Sequence, residues 1–254
     1  MINGIVKRIF LLWLLVVVPA SVRAESPSGH YENQFTAQPG LWDISGTYSE
    51  NPQNQFTIVQ DDKGKITGQA SLFETDGSTS ITMAGPVVGS IKTTGGVPRV
   101  SVTLKLTGTA SDGFASVGVT ANVQFTLGID PANSELTGTF KTKACIKAHG
   151  AGCQSANGPQ QFDLPQDADG TWRLVMDMQN SNGKLAGTAS AVLSNGRTLP
   201  LSLKGQYASK NDVTKLNLKG GSAATVTIQA NAVPGALVLQ KMTAKLLGQT
   251  ITLP

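Results

Sequence analysis

Cys145 and Cys153 lie eight positions apart in the stretch ACIKAHGAGCQS, with His149 between them. Two thiolates and an imidazole could begin a metal site. Such a site needs a third and fourth ligand, however, and the only other histidine is His30. The spacing is neither a C-x-x-C redox pair nor a C-x-x-C-H haem attachment. Outside a reducing compartment the simpler outcome is a Cys145–Cys153 disulfide, and closing so short a loop contributes about 2.5 kcal/mol in the chain-entropy picture.

Acid–base chemistry has as little to work with. A serine nucleophile needs a histidine base held in the fold. His30 stands in a polar lead-in, and His149 lies inside the cysteine loop. A pair of carboxylates could cleave a glycosidic bond. Asp61, Asp62, Glu74 and Asp76 are the candidates, yet they gather at turns, where aspartate usually serves the backbone. The chain has no P-loop, H-E-x-x-H or G-x-S-x-G pattern. Asp167-x-Asp169-Gly170 lacks the further oxygen ligands and terminal glutamate of a calcium loop. The expectation is therefore a non-catalytic protein with no metal and no cofactor.

The elements available to position a site read as strands. VSVTLKLT sets Val100, Val102, Leu104 and Leu106 on one face, with Ser101, Thr103, Lys105 and Thr107 on the other. TKLNLK repeats the alternation with Leu216 and Leu218. One buried and one wet face is the pattern of antiparallel sheets. Between such runs stand Lys63-Gly64, Asp76-Gly77, Asn182-Gly183 and Asn195-Gly196, the pairs that tight hairpins favour. No amphipathic helix is visible after the first two dozen residues.

The strands come in two sets. GKITGQAS at 64–71 returns as GKLAGTAS at 183–190. Gly40-x-Trp42 precedes the first copy and Gly170-x-Trp172 the second. Glycines at 85 and 205, 108 and 220, and 138 and 248 continue the correspondence. An apolar residue, any residue, glycine and then a small or polar residue recurs throughout, as in ITGQ, LTGT, LAGT and LKGQ. Glycine inside a strand marks a bend, a bulge or a close approach, as a sheet curling on itself requires; the alternative is that glycine marks strand ends.

The Gly-x-Trp followed by a glycine-turned hairpin, seen twice, resembles the opening of the calycin barrels, the lipocalins and avidins. That resemblance implies a secreted β-barrel whose tryptophan packs at one end. It implies no biotin site, because the aromatic wall that avidins use is missing here. The predicted fold class is thus all-β: a duplicated antiparallel meander forming strongly curved barrel or sandwich units.

The chain begins with Lys7 and Arg8, an apolar run from Ile9 to Val18, and a small-x-small site ending at Ala24. This is the layout of a signal peptide cut between Ala24 and Glu25, and the apolar run is too short to span a bilayer. The chain is expected to be exported, periplasmic or extracellular, with no transmembrane segment after cleavage. The formal charge of +4 falls to +1 once Lys7, Arg8 and Arg23 are removed, which gives nucleic-acid binding no support. The expected organisation is a signal peptide (1–24), a flexible lead-in (25–39), a first β unit (40–149), a linker (150–169) and a second β unit (170–254).

Two functions fit such a chain. One is binding of an apolar small molecule or lipid inside a barrel, and the other is a scaffold with a filled core. The readable inward positions are Ile66, Leu72, Val102, Leu104, Leu106, Val123 and Phe125. They are mostly aliphatic, which favours an apolar cavity, with the longer first half as its site.

Overall fold

The computed structural model describes residues 27–36, 40–147, 152–221, 223–233 and 236–254. The expected cleavage site at Ala24–Glu25 and His149 lie outside the described residues. Sixteen strands and no helix make up the described chain. They are β1 (Gly29–Phe35), β2 (Gly46–Asn51), β3 (Asn54–Gln60), β4 (Lys65–Thr75), β5 (Ser80–Thr94), β6 (Val97–Ser111), β7 (Ser116–Asp130), β8 (Glu135–Ile146) and β9 (Cys153–Asp163). A second run follows with β10 (Trp172–Ser181), β11 (Lys184–Leu193), β12 (Thr198–Ala208), β13 (Val213–Gly220), β14 (Ala224–Val233), β15 (Ala236–Leu246) and β16 (Gln249–Leu253).

These strands form two eight-stranded antiparallel meanders, each curled strongly into a half-barrel. The first has the order β2 to β9; the second has the order β1-β10-β11 and on to β16. The alternation read in VSVTLKLT is realised in β6, where Val100, Val102, Leu104 and Leu106 are buried and their neighbours are not. Burial of such a row removes apolar surface from water at about 25 cal/mol per Å², and the curl brings rows from non-adjacent strands together. Each half has its own core.

The recurrent glycines sit where neighbouring strands approach too closely for a side chain, as a curled sheet requires. A Cβ at Gly68 of β4 would overlap the Thr57 carbonyl oxygen of β3, and one at Gly187 of β11 would overlap the Asp177 carbonyl of β10. β4 and β11 are the third strands of their sheets, so the repeated octapeptide marks one structural position twice. Gly85 with Gly205 and Gly108 with Gly220 likewise share sheet positions. Two landmarks do not. Gly138 lies within β8 whereas Gly248 is in the turn after β15. Trp172 opens β10, the second strand of its sheet, whereas Trp42 precedes β2, the first strand of the other.

Two segments differ from the sequence expectation. The lead-in 25–39 contains β1, which pairs with β10 from Gly29↔Met178 to Phe35↔Trp172 and supplies the outer strand of the second half. The linker 150–169 contains β9, the last strand of the first half, paired along its length with β8. Both are polar because each is an edge strand with one hydrogen-bonded neighbour, and β9 is exposed along most of its length. Polar sequences of this kind carry no period-2 apolar signal.

The halves meet end to end. The turn at Gly64 packs on the turn at Leu247–Gly248, and the Thr250 N–H donates to Thr93 Oγ1. β1 and β2 run in the same direction on either side of this junction, and so do β3 and β10, their antiparallel partners. The two half-barrels are therefore stacked head to tail, with opposite ends in contact, rather than as mirror partners.

Candidate functional site

At the end of the first half away from the junction, the interior opens into an apolar cavity of about 120 Å³. Its floor is a cluster of rings contributed by β2, β3, β7 and β9. Tyr48 stacks on Phe56 at 5.1 Å, Phe56 on Phe125 at 5.9 Å, and Phe162 meets Phe56 and Phe125 edge-on at 5.2 and 5.3 Å. Its walls are Ala70, Leu72, Leu104, Leu106 and Val123, and its rim is made of Ser49, Asn54, Gln55, Ser71 and Gln160. Among the described residues, no ionisable group other than the Tyr48 phenol lines it. Burial pushes that phenol well above its ordinary value, with a smaller push from the Asp43 charge, so it stays neutral and donates to the Ile44 carbonyl at 2.8 Å.

Of the residues read as inward from the sequence, Leu72, Leu104, Leu106, Val123 and Phe125 are among those around this cavity. Ile66 and Val102 are buried in the packed core below it. Sequence reasoning missed Tyr48, Phe56 and Phe162, because the expectation was of few large rings inside. The signal was present for Phe56 in the alternating QFTIVQ of β3, but Phe162 belonged to a segment read as linker. Toward the free end the strands overhang the cavity. β5, β6 and β7 run for 15 residues each, and near this end Ile81 of β5 and Val117 of β7 are only partly covered.

The interior of the second half is filled. Leu174, Met176, Leu203, Leu216, Val226 and Met242 are all at or near complete burial. The Phe35 ring stacks on Trp172 at 4.3 Å, closing the junction end.

Buried polar groups lock the junction. Gln249 accepts the Trp42 N–H and donates to the Trp42 carbonyl, and Gln60 donates to the Leu247 carbonyl while accepting the Ile44 N–H. Arg197 donates to Asp43 at 2.9 Å, to the Gln60 carbonyl at 2.8 Å and to Asp62 at 2.7 Å. Burial works to raise the Asp43 carboxyl, but hydrogen bonds from Ser45 and Arg197 outweigh it and hold the group below its ordinary value.

The remaining candidate groups are dispersed. Asp61 caps its turn by accepting the Lys63 and Lys65 N–H groups, and Asp76 accepts those of Ser78 and Thr79. Glu74 is exposed at the end of β4. His30 pairs with Asp177 on the outside of the second half. Cys145 and Cys153 are bonded, S–S 2.07 Å, across directly opposed positions of β8 and β9. Among the described residues no group of three or more metal-ligating side chains occurs, and no helix is long and apolar enough to cross a membrane.

No family model, curated protein or solved structure matches this chain.

Proposed function

We propose that the protein is an exported, non-catalytic binding protein whose first half holds an apolar ligand. The observation that carries this reading is the uncharged, ring-floored cavity at the open end of the first half. A pocket of about 150 Å³ lined by apolar side chains accepts a molecule the size of benzene. A cavity of about 120 Å³ therefore suits one ring or the end of an acyl chain rather than a whole lipid. The overhanging apolar strand ends would cover the rest of such a chain, and the amides and hydroxyls of the rim would face its polar head. The filled second half suits a supporting role, so the scaffold reading applies to that half.

A fluorescent fatty acid should bind the mature protein with an emission increase. Leu104→Trp, which places an indole in the cavity, should abolish the increase while the circular dichroism of the sheet is retained. Equal binding by Leu104→Trp, or no binding of any apolar probe by the wild type, would overturn the proposal.

A further inference from the structure

The net charge conceals a segregation that the sheet registers expose. The outer faces of β11 to β16 carry six lysines, Lys184, Lys204, Lys215, Lys219, Lys241 and Lys245, and no carboxylate. On the outer face of the first half, β5 to β8 present Lys92, Arg99, Lys105, Lys141 and Lys143. Carboxylates enter there only at the junction rim, in the row Asp130–Glu135–Asp163. The other aspartates and glutamates lie at turns, at strand ends, or on β1 and β10, where Glu32 and Asp177 already hold Arg173 and His30. Among the described residues no lysine is ion-paired.

The lysines are also regularly spaced. One cross-strand row of the second half reads Lys184, Gln206, Lys215, Gln229, Lys241. In the first half Lys105, Asn122 and Lys143 form the same sequence of cation, amide, cation, beside a shallow depression of about 590 Å³ that Lys141 also borders. Lysine thus recurs at every second strand, about 10 Å apart at the ordinary strand spacing. Opposite-charge pairs across strands stabilise a sheet, so glutamate would be the favourable neighbour on grounds of stability. Amides stand there instead, leaving the ammonium groups free.

We infer that this outer wall binds a linear acidic polysaccharide, with one negative charge per pair of sugars. Ammonium groups at this separation match a two-sugar repeat in an extended chain, and the amides and threonines between them suit sugar hydroxyls. Duplex nucleic acid carries a charge about every 1.7 Å of its axis, far denser than this lattice. The outer faces of β11 to β16 carry no aromatic ring on which single-stranded bases could stack.

The test uses the full mature chain and sodium hyaluronate, which has one carboxylate per disaccharide. Wild-type protein should bind hyaluronate in low salt, ignore neutral dextran, and lose binding as salt rises. The triple variant Lys184→Gln, Lys215→Gln, Lys241→Gln should bind at least tenfold more weakly with its thermal unfolding unchanged, since all three side chains are exposed. Failure of the wild type to bind, equal binding by the triple variant, or preference for duplex DNA or anionic phospholipid vesicles over hyaluronate would overturn the inference. Binding of fatty acid by the triple variant should be unaffected, which separates this wall from the cavity.

Discussion

The two half-barrels share strand number, strand order and their curl-forming glycines, yet one interior is filled and the other is open. Strand length is the difference. The second half uses strands of at most 11 residues, and most of its inward positions are fully buried across the curl. The 15-residue strands of the first half extend past the point where the opposite wall ends, because β2 is only six residues long and does not pair with β9. The overhang leaves Ile81 and Val117 only partly covered. Within a duplicated sheet architecture, the half with three lengthened strands is the one that keeps an open cavity.

The largest expected effect breaks the comparison outright. Deleting residues 29–35 strips the second half of its edge strand, because Tyr31 and Phe35 pack on that core, whereas the first half loses nothing. Hydrogen exchange should show β10 to β16 losing protection and β3 to β8 keeping it.

Next come the glycines on which both curls depend. Gly68→Ala and Gly187→Ala should each cost about 3 kcal/mol in chemical denaturation, because neither carbonyl can retreat without moving its strand. Unequal costs would show that the two curls are not held alike.

A pair of truncations measures the packing difference directly. Leu203→Ala should cost about 3 kcal/mol, at the level of a closed core, and Leu104→Ala only about 2 kcal/mol, because Leu104 already borders empty space.

The smallest effect concerns the junction. Arg197→Ala should cost about 2 kcal/mol near neutral pH by leaving Asp43, 5% exposed, without its cation. The sign with pH follows from the depressed Asp43 carboxyl. Its stabilisation is fully present above the unfolded value of 3.8 and disappears as pH falls through the folded value. The difference between wild type and Arg197→Ala should therefore shrink below about pH 4. A difference that grows on acidification would mean that Asp43 is not the partner that matters.

Much of this was legible where burial is one-sided and regular. The alternation from Val100 to Leu106 located a strand, its inward face and two walls of the cavity. The cysteine spacing anticipated the disulfide. What stayed illegible has physical causes. β1 and β9 are edge strands whose polar residues obey no apolar period, so GHYENQF and CQSANGPQQFD read as loop. The ring floor joins residues 48, 56, 125 and 162, which nothing local links. Gln60 and Gln249 look like surface residues until the opposite half supplies the carbonyls they satisfy. The cationic wall was hidden because a net charge averages over turns and faces that the register separates.

The pairing of β1 with β10 also sets an order of events. As the chain emerges from its N-terminus, Gly29–Phe35 appears first but meets its partner only after Trp172–Ser181 has been made. The first half can complete itself during that delay, since all eight of its strands lie between the two. The last-formed half thus closes onto the first-made segment, and the waiting strand, GHYENQF, is polar enough to remain in water meanwhile. A chain interrupted anywhere before residue 172 therefore leaves this N-terminal strand unclaimed.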